Sequence, residues 1–164
     1  MQESKYQIIH WKTWKDTKRL LEETRDQLKD DRKAITYSNE MPGTNHMSVI
    51  SRYNKILERV ETYDDYIYAY KVVIERLENC IATLLNQEQR KAVIIYANNP
   101  GKGESTIREQ EALKQGFSRA KFYELINQSF NILDMVLDLK TVQNPKNEFW
   151  TNSRLNCQKN VIYY

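Results

Sequence analysis

The sequence predicts an all-α protein: a long N-terminal helical hairpin or coiled coil, followed by a helix-turn-helix domain. Three observations predict it. Only 4 Gly and 3 Pro interrupt 164 residues, of which 29% are charged and 40% apolar. That balance suits packed helices better than a β-sandwich or a loop-rich α/β enzyme. Apolar residues recur with heptad spacing between Tyr53 and Leu84. Finally, Gln115-Gly116-Phe117 punctuates two amphipathic stretches as a tight turn between helices does.

The stretch Met47–Leu85 reads as one helix. Tyr53, Val60, Ile67, Ile74 and Ile81 fall at one heptad position, and Ile56, Tyr63, Tyr70, Leu77 and Leu84 at the other. Every one of these is apolar or aromatic, with no Gly or Pro between them. Such a seam supercoils against a neighbouring helix. At about 1.5 Å per residue the helix would be roughly 60 Å long, more than one small core can cover. The partner is either the N-terminal segment of the same chain or a second chain, and the two arrangements can coexist.

The first helix is expected from about Tyr6 to Ala34. Trp14, Leu21, Leu28 and Ile35 repeat every seven residues, with Ile8 and Trp11 extending the apolar face at the front. The companion positions hold Lys18, Arg25 and Arg32, whose aliphatic stems can flank a helix contact while their charges reach water. An antiparallel hairpin with the long helix is the economical arrangement. Between the two, Pro42 and Gly43 mark a turn, and Thr44, Asn45 or Ser48 can cap the long helix.

After the long helix, Asn86 and Gln89 have the spacing of a capping box, opening a helix over Gln87–Tyr96 with Val93 and Tyr96 inward. Ala97–Ser105 is the stretch richest in Gly and Pro and is expected to be a loop. Its GKGES lacks the preceding strand and the spacing of a phosphate-binding loop. Thr106 and Glu109 form another capping-box pattern before a helix over Ile107–Lys114. Ser118 then caps a final helix with Phe122, Leu125, Ile126, Phe130, Leu133, Val136 and Leu137 on one face, to roughly Lys140. Thr141–Tyr164 is Asn-rich and reads as an irregular tail whose Phe149, Trp150, Tyr163 and Tyr164 can dock on the body or on a partner. The expected division is therefore 1–85 for hairpin and dimerisation, 86–140 for the helix-turn-helix domain, and 141–164 for the tail.

Charge constrains function. Net charge is +3. Lys and Arg outnumber Asp and Glu by only 9 to 8 over 1–46, 8 to 7 over 86–140 and 3 to 1 over 141–164, and fall short by 5 to 6 over 47–85. Most nucleic-acid binders carry a basic stripe, which this chain does not show. His10 and His46 have no Cys or second His at ligand spacing, and Cys80 and Cys157 form neither a disulfide framework nor a metal site. Reduced thiols in a cytosol are expected. With no nucleophile–base pair, metal cluster or phosphate loop, neither an enzyme nor a cofactor or metal is expected. No apolar run approaches 18 residues, and MQESKYQII lacks the pattern of a secretory leader, so neither a membrane partner nor export is expected.

The helix-turn-helix reading rests on Ala112 standing four residues before Gly116, as the crossing of the two helices requires. Phe117, Phe122 and Leu125 take the later core positions. Glu111 and Gln115 fall where apolar residues usually pack, so Ile107 and Leu113 are expected to substitute through a rotation of the helix. The recognition helix would present Ser118, Arg119, Tyr123, Glu124 and Asn127 to a duplex, with Lys121 on a phosphate.

Taken in order, ITYSNEMPG (35–43), the long helix, LLNQEQRKAVIIY (84–96), a Gly loop and QGFSRAKFYELINQSFNIL (115–133) resemble the ArpU/RinA group of phage transcriptional regulators. The C-terminal part is similar to region four of primary sigma factors. Leu85, Arg90, Val93, Tyr96, Gly116, Ser118 and Arg119 match that pattern, whereas Ile95 stands where a basic residue often precedes the Tyr. The resemblance covers about residues 35–135. It implies a phage-encoded, sequence-specific DNA-binding regulator, by analogy an activator of late or packaging genes, acting as a homodimer on double-stranded DNA in the bacterial host cytoplasm. The alternative is a coiled-coil interaction protein whose degenerate helix-turn-helix binds a protein such as RNA polymerase or a host or mobile-element factor.

Overall fold

A computed structural model describes residues 3–37 and 46–137, and every element in them is helical. Two long helices, α1 (Glu3–Tyr37) and α2 (His46–Leu84), precede three short ones, α3 (Gln87–Asn98), α4 (Ser105–Lys114) and α5 (Arg119–Asp134). A 3-10 turn, Lys102–Glu104, leads into α4. The chain is thus all-α with long helices at its N-terminal side, and no described helix is long and apolar enough to cross a membrane. The Pro42–Gly43 turn, its capping candidates, the side chain of His46, the end of the last helix near Lys140 and the tail lie outside the described residues.

The described residues fall into two compact units. One takes residues 3–15 and 72–137; the other takes 16–37 and 46–71. The border therefore runs within α2 and not at Leu85, where the sequence places it. The physical reason is a shared core: Ile8, Leu77, Ile81 and Leu85 belong to the same apolar cluster as α3, α4 and α5.

In the first unit the front of α1 begins one turn earlier than the apolar pattern suggests, because its first turn is bonded to α5. The Ser4 amide donates to Asp134 Oδ1 at 2.8 Å, and the Ser4 hydroxyl donates to the Phe130 carbonyl at 3.2 Å. Further along, the Trp11 indole donates to Glu78 Oε1 at 3.2 Å, an oxygen that Lys15 Nζ also reaches at 2.6 Å. His10 stacks on Trp14 along one helix face, and Tyr6 lies tilted against His10 with ring centroids 4.4 Å apart.

Local chemistry starts and stops the short helices. Asn86 Oδ1 accepts from the Gln89 amide at 2.9 Å, and Gln89 Oε1 accepts from the Asn86 amide at 3.0 Å, the reciprocal box its spacing predicts. Thr106 does not cap α4, which already starts at Ser105 with no side-chain cap. The reciprocal contact lies one loop earlier, where the Gly101 amide donates to Glu104 Oε2 at 2.6 Å. That carboxylate thus takes up the first glycine amide of GKGES. α3 and α5 pack through Tyr96 and Phe130, edge to face at 5.4 Å. On α5, Phe122, Leu125, Ile126, Phe130 and Leu133 are buried as their spacing predicts, as is Leu137 just beyond its end; Val136 instead stands half exposed. At the end of α2, Leu85 is buried and Leu84 exposed, so the heptad seam breaks where the short helices take over the packing.

The second unit is an antiparallel helix pair. Arg25 donates to Asp64 Oδ1 at 3.0 Å, while Arg32, further along α1, lies over the ring of Tyr53, earlier on α2. Val60, Ile67 and Tyr70 are buried, but Tyr53, Ile56, Tyr63, Leu21 and Leu28 are only half-buried. Lys18, Arg25 and Arg32 flank the contact with their stems, as expected for basic residues at a half-apolar seam. The Asp64 carboxylate, followed by Asp26, raises the pKa of the Arg25 guanidinium above its ordinary value.

Candidate nucleic-acid interface

The geometry around Gly116 decides how α5 is presented. Gly116 has φ +84°, and the amides of Gly116 and Phe117 return to the carbonyls of Leu113 and Ala112, both at 2.9 Å. This is a Schellman turn, whose left-handed residue favours glycine because it has no Cβ. Phe117 and Ala112 are both buried where the chain reverses, at 7% and 0% exposure. Ser118 comes next in extended conformation, and its Oγ accepts from the Lys121 amide at 3.3 Å, fixing the first turn of α5.

Ser118, Arg119, Lys121, Glu124 and Asn127 are all exposed on the described surface, and Tyr123 is half-buried. The sequence-predicted set thus sits together on one short helix. It is not an electropositive cluster. Arg119 Nε lies 3.0 Å from Glu109 Oε1, and the Tyr123 hydroxyl donates to the same oxygen at 3.2 Å. Lys121 Nζ lies 3.8 Å from Glu88 Oε2 at the start of α3. Glu124 accepts from Gln128 one turn on. Two of the three polar groups nearest the turn are therefore oriented by carboxylates of α3 and α4 that sequence reasoning assigns elsewhere or nowhere. In the sequence Glu109 reads as half of a capping box; its spacing to Arg119 and Tyr123 carries no local periodicity that would reveal the pairing.

The expected rotation of α4 does not occur. Ile107 and Leu113 are 47% and 70% exposed, so they do not replace Glu111 and Gln115 in the core. Arg108 goes inward instead. Its guanidinium lies 5.1 Å from the centroid of the Tyr96 ring and donates to the carbonyls of Asn99 and Gly101, tying the loop before α4 to α3. Arg108 Nε has no hydrogen-bond partner among the described residues. Glu111 Oε2 accepts from Asn99 Nδ2 at 3.0 Å, which satisfies a polar residue at a position where the motif usually places an apolar one.

Among the described residues no three His, Cys, Asp or Glu side chains gather as metal ligands. No protein-family model, curated protein or solved structure matches this chain.

Proposed function

We propose that the chain is a sequence-specific DNA-binding transcriptional regulator, with α4, the Gly116 turn and α5 acting as a helix-turn-helix. The observation that carries this reading is the Schellman turn and Ser118 cap, which leave the N-terminal outer face of α5 open. A helix so capped can offer its first turns to base edges and phosphates in a major groove. By resemblance the regulator is phage-encoded and activates late or packaging genes. Dimerisation through the long helices would raise the effective concentration of the second half-site, one way a nearly neutral domain attains tight binding.

Arg119→Ala tests it. Binding to DNA from the gene's own neighbourhood, with random DNA as competitor, should weaken about ten- to a hundredfold, with helix content by circular dichroism unchanged. Wild-type affinity in that variant removes Arg119 from the interface.

One observation favours a second reading, a protein-binding adaptor: Arg119 and Lys121 already meet carboxylates, and Leu113, 70% exposed, shares a surface depression with Arg119. Salt separates the two, because binding to phosphates weakens steeply as salt rises and binding through Leu113 does not.

A further inference from the structure

We infer that the groove between α3 and the C-terminal half of α4 is a second DNA-contact surface, in which Lys91 and Lys114 take up backbone phosphates. This rests on the DNA-binding reading and extends it to residues outside α5.

The pairing of the cations separates the two surfaces. Arg119 and Lys121 are matched by Glu109 and Glu88. Lys91 and Lys114 are exposed, and neither has a carboxylate within ion-pair distance among the described residues. Both line one open groove, together with Ile94, Asn98, Glu111 and Gln115. The carboxylate in that groove, Glu111, already accepts from Asn99 Nδ2, leaving two cations against one anion. Ile94, 45% exposed, adds an apolar side chain to the groove.

Electrostatics favours the unpaired lysines as phosphate ligands. An ammonium without an internal partner releases the counterions of the phosphate it meets, whereas a paired one must first give up its carboxylate. Position favours them too. Lys121 reaches from α5 to Glu88, one turn before Lys91 on α3, and Gln115 in the groove ends α4 at the turn into α5. Glu88 thereby links the α3 wall of the groove to the Lys121 side of α5, so a duplex seated there would meet Lys91 one helical turn further along α3. Phosphate contacts of this type fix orientation and carry no sequence information.

The test is the full-length K91Q/K114Q variant, with binding to a random-sequence duplex and to upstream DNA of its own gene measured over a salt series. Both affinities should fall by the same factor, about tenfold, and the slope of log affinity against log salt should flatten by about two, near 0.9 per phosphate lost. The ratio between the two DNAs stays as in wild type, whereas Arg119→Ala lowers it. Helix content should not change, since both lysines are exposed. A slope equal to wild type overturns the surface while leaving α5 as the DNA reader. An equal flattening in Lys102→Gln, whose lysine lies in the loop before α4, overturns it as well, because loss of charge anywhere would then suffice. Failure of the wild-type protein to bind either duplex removes the DNA reading, and this surface with it.

Discussion

The two compact units solve burial differently. In the unit of short helices, Ala92, Val93, Ala112, Phe122 and Leu133 are wholly inaccessible, and three of the helix boundaries are set by identifiable groups: Asn86 before α3, Gly116 after α4 and Ser118 before α5. In the two-helix unit, Val60, Ile67 and Tyr70 are buried to 5–8% exposure, most of the seam is half-covered, and ion pairs line its edge. Short helices are marginal in isolation and persist when caps and packing on more than one side hold them. A pair of helices packs each on one side only, so its stability is spread over length and not concentrated in a few side chains.

The largest expected effect tests that contrast directly. Phe122→Ala should cost about 3–5 kcal/mol, whereas Leu28→Ala in the two-helix unit should cost about 1 kcal/mol. Urea denaturation followed by circular dichroism measures both; equal losses would abolish the distinction. Next comes Gly116→Ala. A Cβ there would meet no heavy atom within 4 Å, so the whole penalty is backbone conformation, about 1–2 kcal/mol. Gly116→Asn should cost less, because Asn tolerates the left-handed region; the opposite order would point to a steric cause.

Alkaline pH sharpens the comparison with one tyrosine in each unit. Burial raises the pKa of Tyr96, an effect partly offset by the Arg108 charge, and burial alone raises that of Tyr70. Each folded phenol then keeps its proton after the unfolded one has lost it. Their stabilisation is complete below about pH 10, the ordinary tyrosine value, and disappears as pH climbs through the raised folded value. Tyr96→Phe should flatten this alkaline loss, read as Tm against pH; an unchanged profile would show that Tyr96 does not contribute. The smallest effect is expected for Asp64→Asn, which breaks a largely solvent-screened pair with Arg25 and should cost about 0.5 kcal/mol or less, fading in high salt.

What the sequence made legible was whatever acts over a turn or two. The Asn86–Gln89 box, the Gly116 turn, the Ser118 cap and the apolar face of α5 as far as Leu133 all depend on neighbours within about one helical repeat, and all stand where the spacing placed them. The all-helical class came from the same periodicity. Contacts between distant elements were not legible. Nothing near Glu109 announces that it will receive Arg119 and Tyr123, and nothing near Arg108 announces that Tyr96 and two loop carbonyls will surround it. The expected rotation of α4 failed for a related reason: Asn99 supplies Glu111 with a hydrogen bond, so the helix need not turn Ile107 and Leu113 inward.

The bonds from Ser4 to Phe130 and Asp134 join residues 126 and 130 positions apart. A nascent chain leaving the ribosome carries its opening residues in the open until the closing helix of the same unit has emerged, while the helix pair between them is already complete. Synthesis therefore imposes an order: the intervening hairpin can form first, and the unit that carries α5 must wait.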